Sequence, residues 1–260
     1  MDFSAIDWQR PWLAHLSELG AQLTTSPDWI AAASALASER GLTNSIHLPI
    51  VFVPHDVLPK SVAYEAHIHA TGQVPTRHNL HDFFNALIWL HFPATKRMLN
   101  QLQTAEIHRN PRRNLRGKQR DAATLFDENA AIFVSRRSSM ITLLAQRQWH
   151  TLLLANATRF HAECQVILFG HALLEKLIQP YKAITAHVWP LHCQDLGSED
   201  RGQLPLPLLD EVLAASVAPG FVSSDFHHLP ILGVPGWWQE QDEAFYADAS
   251  VFRLPKMTRA

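Results

Sequence analysis

The stretch Thr76–His91, TRHNLHDFFNALIWLH, constrains the chain most. Wound as a helix, it sets Leu80, Phe83, Phe84, Leu87 and Ile88 on one side, an apolar stripe that must lie on a core. The other side gathers His78, His81, Asp82, Asn85 and Trp89 within about a third of a turn. Solvated helix faces are built from Lys, Glu, Gln and Arg, which favour helix and stay wet. This face has none of them. Two imidazoles, a carboxylate and an amide are groups that bind metals, move protons or orient ligands, so this face is expected to be shielded from bulk water. A helix-cap reading competes with that one. Asn79 or Thr76 can serve as N-cap, with Asp82 three residues after Asn79 satisfying orphan N–H groups.

Length and composition set the frame. The 260 residues can bury a large core and fold as one big domain or two small ones. With 47% hydrophobic and 18% charged residues the chain reads as soluble and globular. The net charge of −2 provides no field for nucleic acid. Sixteen His, beside eight Trp and thirteen Phe, place many imidazoles in the core. Cys164 and Cys193 lack a CxxC spacing and are too few for a disulfide framework, which implies a reducing, cytoplasmic setting. The first residues, MDFSAIDWQRPWL, are interrupted by Asp2, Asp7 and Arg10, unlike a signal peptide. No apolar run reaches a membrane span of roughly 18 residues.

The pattern along the chain is α+β: a mostly helical single domain with a few short strands. Residues 1–44 form a helical extension packed on a module of residues 45–255, with Ser26-Pro27-Asp28 opening a helix that Gly41 closes. The proline-rich segment 46–59 makes an extended or edge strand. Val62–Ala70 alternates as a strand. Thr95–Glu106 is a second amphipathic helix. Two apolar runs flanking Asp127-Glu128-Asn129 read as a hairpin. Ser138–Leu154 is helical, and Glu163–Gln179 is a long apolar helix stopped by Pro180. Ile184–Trp189 is a strand, and Leu208–Ala218 a short helix.

Three constellations carry chemistry. His78 with Asp82, and His81 with Asn85, are i,i+4 pairs whose side chains can converge on one atom. Neutral imidazole and carboxylate suit Zn, Mn, Fe or Ni. His171 and Glu175 form another such pair, with Gly170 allowing close approach to the helix. Alone, HxxxE is common by chance. As a second half-site it could complete the set His78, Asp82, His171 and Glu175. In the basic segment 108–120, Arg116 and Arg120 stand a helical turn apart and can grip a small anion or pair with Asp121, Asp127 or Glu128. That loop lacks the interleaved aromatics of a nucleic-acid surface. P-loop, GxGxxG, GxSxG, HExxH and EF-hand motifs are absent.

Four segments in order, TRHNLHDFFNALIWLHFPATKRMLN, RGKQRDAATLFDEN, LFGHALLEKLIQPY and PILGVPGWW with FYADASVFR, resemble the domain of unknown function 3025 family. The likeness runs from about residue 45 to residue 255. It implies a bacterial, intracellular, single-module protein whose four segments share one architecture, and no activity.

Two functions are therefore expected of the polar residues. One is a hydrolase assisted by a divalent metal ion and acting on a small anionic or phosphorylated substrate. There His78, Asp82, His171 and Glu175 ligate, His81, Asp121 or Asp127 acts as base, and Asn85, Arg116 and Arg120 hold the ligand. The other is a non-catalytic ligand- or partner-binding module in which the cluster is a rigid hydrogen-bonded network. Nothing in the sequence specifies an oligomeric state.

Overall fold

A computed structural model describes residues 2–109, 117–192, 204–217 and 220–255. Its architecture is α+β, with helices wrapped around two small sheets. Helix α1 (Ser17–Thr24) leads to α2 (Trp29–Glu39), which Asp28 caps by accepting from the amides of Ile30 and Ala31. Strand β1 (Val51–Pro54) pairs in parallel with β2 (Gln73–Thr76). Between them Tyr64–Thr71 is a helix, α3, where alternation predicts a strand. Its His67 and Ile68 are the buried residues, and Gly72 closes it in the left-handed region at φ 73°.

Helix α4 (Leu80–His91) starts later than the sequence pattern suggests, because Asn79 caps it and Thr76 belongs to β2. The Asn79 side chain accepts from the Asp82 amide at 2.8 Å, and the Asp82 carboxylate reaches back to the Arg77 amide at 2.6 Å. Every residue from Asp82 to Leu90 is buried, with Asp82, Asn85 and Trp89 of the polar stripe among them, whereas His81 is half-buried and His78 exposed. Trp29 and Phe3 stack against Phe83, which joins the N-terminal segment to the main core. Phe92 separates α4 from α5 (Pro93–Arg109), which opens on a proline that needs no amide partner. Asp210 of α10 (Leu206–Ser216) caps α5 from outside, accepting from the amides of Ala94 and Thr95 and the Thr95 hydroxyl.

The second sheet has the order β4–β3–β5–β6. Its central strand β3 (Ala130–Ser135) is buried throughout and follows α6 (Lys118–Asn129) directly, so the expected hairpin at residues 127–129 is instead a helix-to-strand junction. β4 (Cys164–Leu168) runs antiparallel to β3, β5 (Thr185–His192) parallel to it, and β6 (His227–Pro230) antiparallel to β5. The expected long helix over 163–179 is therefore strand β4 followed by a short helix, α9 (His171–Lys176). The stretch 138–154 divides likewise. α7 (Ser138–Ala145) ends before Arg147, a π-helical turn spans His150–Ala155, and α8 (Ala157–Glu163) follows. The last described helix is α11 (Glu243–Tyr246). Among the described residues, no helix is long and apolar enough to cross a membrane.

Gly170 fixes how these parts meet. A Cβ there would lie 2.5–2.6 Å from the backbone of Asn129 and Ala130. The glycine lets the start of α9 touch the α6–β3 junction, bringing His171 beside Asp127 and Glu128. Its amide seals the contact by donating to the Ala130 carbonyl at 2.8 Å.

Candidate metal centre

Three elements deliver one ligand atom each to a common point. His81, in the first turn of α4, Glu128, near the end of α6, and His171, at the start of α9, converge. His81 Nε2 lies 3.1 Å from His171 Nε2. Glu128 Oε2 is 3.4 Å from His171 Nε2 and 3.9 Å from His81 Nε2. Ligands about 2.0–2.2 Å from one ion, at tetrahedral or octahedral angles, stand about 2.8–3.6 Å apart. Two edges of the triangle fit that range, and the third, from His81 to the half-exposed Glu128, is slightly longer.

The surroundings suit ligation. His81 Nδ1 faces Glu175 Oε2 at 3.2 Å, the carboxylate–imidazole contact that fixes a ligating ring. Burial pushes the His171 imidazole down to about 3, with the charge of Asp127 opposing, which favours the neutral ring that ligation requires. Its Nδ1 is buried without a hydrogen bond, 3.9 Å from Asp127 Oδ1. Burial, and then the charge of Asp127, raise the Glu128 carboxyl; a cation at the triangle would relieve that repulsion.

Behind the ligands runs a buried polar network. Lys96 Nζ donates to Asp127 Oδ1 at 2.5 Å and to Asn85 Oδ1 at 2.9 Å. It also stands 5.4 Å over the Trp89 ring. Asn85 Nδ2 in turn donates to the Tyr64 hydroxyl at 3.1 Å, leaving the phenolic hydrogen free to donate elsewhere. Burial, then the charges of Glu65 and Asp82, raise the Tyr64 phenol well above its ordinary range, so it keeps that hydrogen.

A cavity of about 360 Å³ opens over the triangle, and Tyr64, Glu65, Arg77, Asn85 and Asp127 also line it. Arg77 reaches His55 Nε2 at 2.7 Å and is the cavity's arginine.

The sequence-derived set divides accordingly. His81, Asn85, Asp127 and His171 meet at the cavity, and Glu175 stands behind His81. His171 approaches the α4 face through His81, not through His78 or Asp82. His78 lies before the helix cap, so the i,i+4 geometry with Asp82 does not exist. It is exposed, with its ring edge-on to Trp29 at 5.9 Å. Asp82 is buried at the cavity wall, but its carboxylate is engaged in capping. Asp121 is exposed on the first turn of α6, away from the cavity. Arg120 makes no ion pair with Asp121, Asp127 or Asp82. Its Nε is buried without a partner, and the acid that feels its charge is Glu65. Arg116 lies outside the described residues.

The sequence pattern does not mark Glu128, Lys96, Tyr64 or Arg77 as site residues. Lys96 did carry a signal, because it opens a polar stripe with Asn100, Gln103 and Thr104 at i+4, i+7 and i+8. All four are buried.

A model of the family described as Protein of unknown function (DUF3025) matches residues 50–256. No curated protein and no solved structure matches the chain.

Proposed function

The chain belongs to the DUF3025 family, for which no activity is described, and we propose that it is a divalent-metal-dependent hydrolase acting on a small anionic or phosphorylated substrate. The convergence of His81 Nε2, His171 Nε2 and Glu128 Oε2 at the floor of a cavity carries this reading. Two imidazoles and one carboxylate leave at least one coordination position facing the cavity. An ion held there would acidify a bound water and polarise a substrate oxygen.

The protein's own groups supply the rest. Glu175 holds the His81 ring. Asp127, fixed by Lys96, stands behind His171. Arg77 attracts the anionic part of the substrate to the cavity mouth, in the role first expected of Arg116 and Arg120. The Tyr64 hydroxyl offers a hydrogen bond to the oxygen that gains charge during hydrolysis.

The test begins with elemental analysis of protein purified without a polyhistidine tag. About one equivalent of Zn, Mn, Fe or Ni is expected, lost in His81→Ala and His171→Ala and retained in His78→Ala. Hydrolysis of a panel of small phosphate and carboxylate esters by metal-loaded protein is then expected to fall on His171→Ala and on Tyr64→Phe. A folded protein that takes up no divalent metal refutes the metal centre and leaves a rigid polar network. Stoichiometric metal without hydrolysis of any ester refutes the hydrolase.

A further inference from the structure

Between Glu128 and His171 in the chain, Arg147 adopts a backbone conformation that an arginine normally avoids. It closes α7 in the left-handed region at φ 53°. Its amide donates to the Leu144 carbonyl, and the next amide, of Gln148, to the Leu143 carbonyl. This is the helix-ending pattern in which glycine is usual, because glycine carries no Cβ penalty. An arginine kept there at a cost in strain points to a use for its side chain.

That side chain enters a pocket of about 430 Å³, lined among others by Trp149, Thr185, His228, Pro230 and Arg253. No carboxylate lines the pocket. Among the described residues, neither arginine forms an ion pair with a carboxylate. Arg147 Nη2 donates to His228 Nδ1 at 3.4 Å, and Arg253 Nε donates to the Ser250 carbonyl. Surface arginines elsewhere do find acids: Arg10 with Asp7, Arg109 with Glu106, and Arg159 with Glu163. Because Arg147 donates to Nδ1, the neutral His228 ring carries its hydrogen on Nε2. Burial, then the Arg147 charge, lower the His228 imidazole, consistent with the neutral form.

We propose that the pocket between Arg147, His228 and Arg253 is a binding site for a phosphoryl group. Two guanidinium groups supply charge and paired donors, and the neutral imidazole a further donor. Trp149, Pro230 and Val251 supply apolar wall for an organic body attached to the phosphate. The pocket shares no lining residue with the His81–His171–Glu128 cavity, so the proposal stands whether or not that cavity holds metal.

Arg147→Gly makes a clean test, because glycine relieves the backbone strain while removing the charge. Binding of inorganic phosphate and of phenyl phosphate is measured by calorimetry on chelator-treated protein at fixed ionic strength, with Arg10→Gln, at a surface arginine that lines neither cavity, as a control for lost charge. Wild type and Arg10→Gln are expected to bind alike, phenyl phosphate more tightly than inorganic phosphate. Arg147→Gly is expected to bind at least about tenfold more weakly, although without ligand its Tm equals or exceeds that of wild type. Arg253→Gln is expected to weaken binding as well. Equal binding by Arg147→Gly, an equal loss of binding in Arg10→Gln, or no binding by wild type of either compound overturns the proposal.

Discussion

Replacing Lys96 by methionine tests the buried network most directly. The side chains of Lys96 and Asp127 are 5% and 9% exposed, and their charged atoms stand 2.5 Å apart. Methionine nearly matches the lysine stem in volume, so little packing is lost. Asp127 becomes a buried carboxylate without its cation, and Asn85 Oδ1 loses its donor. Breaking one side of a buried ion pair costs about 3–5 kcal/mol, a large share of the roughly 5–15 kcal/mol that holds a domain together. Removing both charges, in Lys96→Met with Asp127→Leu, is expected to restore most of the loss, because desolvation offsets the pair's attraction.

The deficit also depends on pH. In the native protein burial raises the Asp127 carboxyl, but the charge and hydrogen bond of Lys96, with His171 and His81 beside it, together outweigh burial, and the net position is below the ordinary carboxylate range. The associated stability is present above an unfolded value of about 4 and is lost as pH falls through the lower folded value. Without Lys96, burial is opposed less and Asp127 takes up a proton more readily. The gap between wild type and Lys96→Met is therefore expected to narrow from pH 7 to pH 4. Urea unfolding followed by tryptophan fluorescence measures both effects. A single-variant loss under about 1 kcal/mol, or a double variant no more stable than Lys96→Met, refutes the reasoning.

Gly170→Ala drives a Cβ into the Asn129–Ala130 backbone, so a loss of about 2 kcal/mol or more is expected in the same assay, together with weakened metal uptake. Asp210→Ala removes the acceptor for two amides and a hydroxyl at the start of α5 and is expected to cost about 2 kcal/mol, with the unfolding midpoint as readout. Burial, then the charge of His91, lower the His15 imidazole to about 3. An unfolded histidine binds its proton near pH 6.5, so this contribution is full above that pH and is lost progressively as pH falls toward 3. His15→Gln is accordingly expected to flatten the acid limb of the stability curve, and an unchanged limb counts against the reading.

The sequence made α4 legible because both of its stripes have helical spacing, and Asn79 and Asp82 occupy cap and third-residue positions. Gly170 was legible as a place of close approach, though not what approaches. The long apolar run from Cys164 was not legible. A short fully buried strand and a buried helix carry the same hydrophobic pattern, and only pairing with β3, which is distant in sequence, decides between them. Reading a turn at residues 127–129 hid Glu128, since a turn former and the end of a helix draw on the same polar residues. A helix beginning at Thr76 would carry His78 on the polar face. Shifting the start to Leu80 moves its imidazole off the face altogether.

The ligand atoms of the candidate centre come from helices that follow one another only after long intervals of chain. No fragment carries the site. A peptide spanning α4, or one spanning β4 and α9, holds one corner of the triangle and has nothing against which to close it. The centre can therefore form only after the central sheet has assembled and Gly170 has docked on the α6–β3 junction. An ion bound there would tie three distant stretches together, and its release would report the opening of that junction, not the fraying of any single helix.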